Sequence, residues 1–228
     1  MQAHFIIILF LFTFLGYSQE PKTYFEHEIG KHIKAFRVQT ELAIQNNDRV
    51  QAEFLFDSLL NTHLKYSYIS EITLKKANGG TLKTSNIKHA FLLITKSAWE
   101  HIDDKEIDAI NRMSRMYKGQ VDIVILFWTS KSIAKKQGSS FNSLVTVTYV
   151  NERENKANHI IASYKHSFGA PTCFFISEKK QLLDIDRKFT VNLNKEDPKV
   201  AFELAHDKIK SILFQDQQTI EGIITTLN

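Results

Sequence analysis

"HAFLLITKSAWEHIDDKEIDAI", residues 89–110, contains a change of period that decides the class of the fold. In "FLLIT" (91–95) every side of an extended chain is apolar or nearly so. That is the pattern of a strand in the middle of a sheet covered on both faces. Beyond "WEHID", Ile107 and Ile110 recur among charged residues at the spacing of an amphipathic helix. A strand that feeds a helix directly puts unpaired backbone N–H groups at the junction, a favoured place for a site. Here the junction carries Trp99, Glu100, His101, Asp103 and Asp104. Acids at a helix start can be ordinary, since the helix dipole favours each by about 0.3–1 kcal/mol.

Working outward, "VDIVILFW" (121–128) is a second run apolar on both faces, and "TLKKANGGTLKT" (73–84) alternates around a hairpin turn. Further strands are expected at 144–150, 172–177 and 181–185. Helices are expected at 103–117, 130–136, 156–165, and from Asp197 or Pro198 to Phe214. Strands alternating with helices indicate an α/β protein. From about Pro21 to Leu64 the period is helical. Ile33, Phe36 and Leu42, then Phe54, Leu59 and Leu60, mark two helices separated by a turn at 45–49 with Asp48 as cap. This extension shows no recognisable chemistry and is read as a packing or partner-contact element.

The 228 residues are 43% hydrophobic and 24% charged, as expected of a chain that buries a proper core. The net charge of +4 is spread without a run of like charges, which argues against nucleic-acid binding. "KEIDAINRMSRMYK" (105–118) interleaves signs as solvated faces do. Residues 1–18 read as an export signal. The apolar stretch 5–15 is too short to span a bilayer, and Gly16 and Ser18 suit cleavage before Gln19. The absence of Lys and Arg ahead of it keeps a retained N-terminal anchor as the second reading. The chain is thus divided into a leader (1–18), a helical extension (19–66) and an α/β domain (67–228). Cys173 is the only cysteine, so neither an intramolecular disulfide nor a CxxC dithiol can form.

The order of elements and their punctuation resemble the thioredoxin fold, and more closely the exported redoxin (TlpA-like) thiol–disulfide oxidoreductases. In that family a strand delivers a loop ending in W-C-x-x-C. "LLITKSAWEHIDDKEIDAINRM" aligns without gaps, with Trp99 on the family tryptophan. "GAPTCFFISEKKQLLDI" (169–185) matches the late G-V-P-T-x-F segment, with Pro171 on the family's cis-proline. "EITLKKANGGTLKTSNIKHAFLLI" (71–94) resembles the hairpin that enters the first central strand. The resemblance implies a three-layer α/β/α domain around a central mixed sheet.

It also exposes a departure. Glu100 stands where the attacking thiol would be and Asp103 where the resolving thiol would be. A carboxylate can neither attack a disulfide sulfur nor resolve a mixed disulfide, so dithiol reductase activity does not transfer. What the resemblance leaves is a surface for an extended peptide or protein partner in the cell envelope, periplasmic or secreted. It is built from Trp99, Glu100, His101 and Asp103 together with Ala170, whose backbone in the family faces a substrate strand. No cofactor and no metal are expected. The competing reading is a one-cysteine redox or peroxidase enzyme acting through Cys173. Against it, "TCFFI" is apolar on both faces, the setting of an inert core thiol. Serine-hydrolase, zinc-protease and phosphate-loop motifs do not occur.

Overall fold

The computed structural model of the protein describes residues 22–97, 99–100, 102–154, 158–195 and 197–214. The leader expected at 1–18, and His101, lie outside the described residues. The elements run α1 (Phe25–Gln45), α2 (Arg49–Leu59, ending in a π-helical turn Leu60–Leu64), β1 (Thr73–Lys76), β2 (Thr81–Lys83), β3 (Ala90–Ser97), α3 (Asp104–Met116) and β4 (Val121–Trp128). There follow α4 (Lys131–Gly138), β5 (Val145–Val150), α5 (Asn158–Ile160, running into a π-helical turn Ile161–His166), β6 (Thr172–Ile176), β7 (Leu182–Asp186), α6 (Phe189–Lys195) and α7 (Pro198–Leu213).

Short acids start the helices. Asp48, Asp103 and Asp197 each accept a hydrogen bond, at 2.9 Å, from the N–H of Gln51, Lys105 and Lys199. Each satisfies one of the donors that a helix start leaves open. Pro198 opens α7, where its missing N–H costs nothing. Gly79 and Gly80 both adopt positive φ in the β1–β2 turn, which explains "NGG". A Cβ on Gly138 would stand 2.6 Å from Val147 Cγ1, so glycine there lets α4 close onto β5.

The seven strands lie in the order β2-β1-β5-β4-β3-β6-β7. β3, β4 and β5 are mutually parallel, whereas β6 runs antiparallel to β3, β7 to β6, and β1 to β5. Both β3-α3-β4 and β4-α4-β5 are crossovers on one face of the sheet. With α5 on the other face and β6 returning antiparallel beside β3, this is a thioredoxin-like α/β arrangement. Alternation along β3 sends Leu92 and Ile94 towards α3, α6 and α7, and sends Phe91 and Leu93 towards α1, α2 and α5. Each face has its own apolar cluster, and the two N-terminal helices complete one of them.

Phe25, at the start of α1, lies with its ring centroid 5.2 Å from that of Tyr164 and 6.1 Å from that of Phe174. In the same turn Glu26 accepts hydrogen bonds from the Ser70 hydroxyl and the Tyr164 hydroxyl, both at 2.9 Å. The segment after α2 then follows β7. Tyr66 N–H donates to Leu182 O, Leu182 N–H to Ser67 O and Ile69 N–H to Lys180 O. Tyr68 bridges Tyr24 on one side and Gln181 on the other.

The structure departs from the sequence reading in several places. Leu42 and Phe54 are 53% and 62% exposed, because the buried stripes run through Ile29, Phe36 and Ala43 on α1 and through Phe56 and Leu59 on α2, and both residues lie off them. The helix expected over 156–165 is a single α-turn continued as a π-helical one. α6 was not anticipated. Its sequence, "FTVNLNK", is rich in β-branched and Asn residues, so burial of Phe189 and Leu193 forms the helix against its own propensity.

Candidate functional site

β3 extends to Ser97, two residues further than expected, and so carries a lysine into the interior. Lys96 alternates with Leu92 and Ile94 and faces α3. On α3, Glu106 shares a stripe with Ala109, Ile110 and Met113. The two meet: Lys96 Nζ lies 2.7 Å from Glu106 Oε1, and their side chains are 4% and 0% exposed. Asn194 of α6 closes the arrangement, its Nδ2 donating to Glu106 Oε2 at 3.4 Å. The charge-interleaved stretch 105–118 is therefore not simply a solvated face. One of its acids is fully buried and paired across the β3–α3 junction.

Glu100 is the third member. Its Oε2 lies 3.8 Å from Lys96 Nζ, its side chain is 16% exposed, and neither carboxylate oxygen accepts a well-directed hydrogen bond. Burial pushes the Glu100 carboxyl above its ordinary value, and the Lys96 charge and the Ser97 N–H and hydroxyl oppose the rise without cancelling it. Burial likewise raises Glu106, with the neighbouring Lys96 opposing and Glu100 adding to the rise. The helix dipole, offered above as an ordinary reason for acids at this junction, does not account for Glu100. α3 starts at Asp104 with Asp103 as its cap, and Glu100 precedes the cap by three residues. The helix field therefore acts on Asp103 and Asp104, while Glu100 is governed by burial.

Trp99 is 78% exposed, with Lys165 Nζ 5.4 Å from its ring centroid, and Lys165 is itself paired with Glu152. Trp99, Glu100, Ile102, Asp104 and Ile107 form one side of an open groove of about 580 Å³, and Ile133, Lys136, Gln137 and Ser140 form the other. The Ala170–Pro171 peptide bond is cis. Thr95 pairs with Thr172 in the sheet, and its hydroxyl donates to Thr172 O at 3.2 Å. The pairing ends there, so Pro171 and Ala170 lie just beyond the last paired position, at the end of β3 that leads on to Trp99. The loop before them is braced by the N-terminal helices. Phe168 packs against Phe25, Phe56 and Phe174, and the Arg37 guanidinium donates to His166 O.

Cys173 lies on β6 between β3 and β7, 1% exposed. Burial holds its thiol well above the ordinary value, the Asp186 and Asp184 charges add to that, and Lys208 opposes. Reactive thiols occupy the opposite kind of place, exposed and electropositive. In the native protein Cys173 should resist iodoacetamide at neutral pH for hours and react within minutes in guanidinium chloride, as followed by intact mass. Labelling of the native protein at the denatured rate would contradict this placement.

One pairing had no signal in the sequence. The rings of His32 and His63 stack at 3.7 Å between centroids, 14° from parallel, beside Glu28. Parallel rings direct their nitrogens side by side rather than at one point, so the pair is poorly shaped to chelate a single ion. Among the described residues no group of three or more His, Cys, Asp or Glu side chains could hold a metal. Among the same residues no helix is long and apolar enough to cross a membrane.

No protein-family model matches the chain, and no curated protein does. Solved structures similar to it are thioredoxin-like. One is a putative thiol:disulfide interchange protein DsbE from Chlorobium tepidum, at 18% identity and TM-score 0.44, covering 53% of this chain and 83% of that one. A thiol-disulfide oxidoreductase from Bacteroides fragilis is 15% identical at TM-score 0.41, covering 53% and 90%. StoA from Bacillus subtilis is 14% identical at TM-score 0.42, covering 59% and 95%.

Proposed function

We propose that this is an exported, redox-inactive thioredoxin-fold protein that binds an extended peptide or protein segment. The binding surface is the one where the dithiol of a thioredoxin-like enzyme would lie. One observation carries the reading: the end of β3 leads to an exposed Trp99 and a buried carboxylate on one groove, and the single thiol of the chain is enclosed in the sheet. An exposed tryptophan at the rim of a groove is a typical anchor for a partner, and the Ala170 backbone, just ahead of β6, is the second contact this reading assigns, by strand addition. Export rests on the leader-like residues 1–18.

The test is a library of extended synthetic peptides titrated against the full chain by fluorescence anisotropy. Binders should lose about tenfold or more in affinity, roughly 1.4 kcal/mol, in Trp99→Ala. They should slow amide exchange around residues 169–171, and insulin reduction should stay at the rate of the protein-free control. Binding that is indifferent to Trp99→Ala, or that maps away from this loop, would sink the reading.

A further inference from the structure

One ammonium faces two carboxylates at the β3–α3 junction. Lys96 Nζ contacts Glu106 at 2.7 Å and Glu100 at 3.8 Å, and with all three ionised the cluster carries one negative charge in excess. The excess sits where it is poorly solvated. The Glu100 oxygens are buried without a well-directed donor, and Glu106 has no exposed surface. A buried surplus charge is relieved by taking up a proton or by moving to water. The two acids differ in which they can do. Glu106 is in the first turn of α3, on its core stripe, and cannot reach water unless the helix moves. Glu100 precedes the cap of α3 and lines the groove with its side chain, its oxygens turned inward, so a side-chain rotation alone would bring the carboxylate to water.

We propose that Glu100 is a proton-operated latch on this surface: with a proton it stays seated beside Lys96, and without one it leaves that seat for solvent. The latch regulates the surface assigned above to partner binding. Its operation requires no partner, so it can fail or hold independently of that assignment.

The charged groups that act at Glu100 are Lys96 on β3 and Glu106 on α3, while Asp104 of α3 and Lys136 of α4 line the same groove. From α6 comes the neutral Asn194. Lys96 is the nearest cation and is already engaged by Glu106. The raised value of the Glu100 carboxyl agrees with the geometry. The sign follows: the seated state is fully favoured below the ordinary value of 4.5, and is lost as pH rises through the higher value in the folded protein. Because the two acids interact, the proton belongs to the pair, and the side chain free to leave reports it.

Trp99, next in the chain, is the probe. The full chain is labelled with 5-fluorotryptophan, which gives separate ¹⁹F resonances for Trp99 and Trp128, assigned by Trp99→Phe. A His101→Gln background removes an adjacent imidazole. Between pH 4.5 and 8 the Trp99 resonance should shift along a one-proton curve with its midpoint above 4.5, and acrylamide quenching of Trp99 should change with it. Glu100→Gln, which mimics the protonated acid, should hold the resonance at its low-pH position throughout. Glu106→Gln frees Lys96 for Glu100 and should move the midpoint down. A Trp99 resonance that is flat across this range, or one that titrates unchanged in Glu100→Gln, overturns the latch. A midpoint unmoved in folded Glu106→Gln overturns the competition for Lys96 on which it depends.

Discussion

Replacing Lys96 by methionine should lower the thermal unfolding midpoint by roughly 10 °C. The substitution keeps the length and apolar stem of the side chain but removes the cation, leaving Glu106 buried with Asn194, among the described residues, as its remaining hydrogen-bond donor. Breaking a buried pair from one side costs about 3–5 kcal/mol, and each kcal/mol is worth about 2–4 °C in a domain of this size. Lys96→Met with Glu106→Leu should recover most of the loss, because two apolar groups leave no charge stranded. The loss in Lys96→Met should also depend on pH. A carboxyl raised by burial destabilises the folded state only when it must ionise, so the deficit should be small at acid pH and grow as pH rises. Calorimetry of the double-mutant cycle at two pH values measures all of this. A deficit that is the same in the single and double variants would show that packing, not the ion pair, sets the cost.

The second large effect is expected at Phe25→Ala, a loss of about 3–5 kcal/mol as for other buried phenylalanines. Phe25 is fully buried where α1, the α5 turn and β6 meet, against Tyr164, Phe168 and Phe174. If the N-terminal helices are part of one cooperative unit, denaturant unfolding should remain a single transition shifted to lower concentration. A separate early transition, with the midpoint of the remainder unchanged, would show the helices to be an appendage. Phe54→Ala, on the exposed side of α2, should change stability by no more than about 0.5 kcal/mol.

Why some of this was legible from the residues and some was not follows from the period of each element. Runs apolar on both faces, such as "FLLIT" and "VDIVILFW", have few alternatives to a covered central strand, and "NGG" has few alternatives to a tight turn. These came out close to their observed bounds. α6 is short, and tertiary contacts alone make it a helix. The two π-helical turns shift hydrogen bonds by one residue without any change in composition that would betray them. At the site, Trp99 and the proline loop are legible as landmarks, while the Lys96–Glu106 pair is not evident from either motif. A signal for it existed: Lys96 falls on the strand face of Leu92 and Ile94, and Glu106 falls three, four and seven residues before Ala109, Ile110 and Met113. Each charge occupies a core position by period, ten residues apart across a change of element. Opposite charges on converging apolar faces are the pattern to seek. The start of α3 lies within one residue of its expected position; the burial of Glu100 follows instead from β3, which runs on to Ser97 and brings Lys96 inside next to it.

The segment laced along β7 has a consequence for how the molecule behaves in company. "FLLIT", "VDIVILFW" and "TCFFI" combine β-branched and aromatic residues with almost no charge, the composition of fibril-forming sequences. All three are inner strands. One outer border of the sheet is the three-residue β2, which carries Lys83. The other is β7, bonded at Leu182 to residues 66–67, with Asp184 and Asp186 held by Lys65 and Lys208. Short, charged or already bonded borders give a neighbouring chain little to template on. The aggregation-prone strands thus become available only after the borders have come apart, and the lacing that ties the N-terminal helices to the sheet also keeps one copy of the protein from recruiting the next.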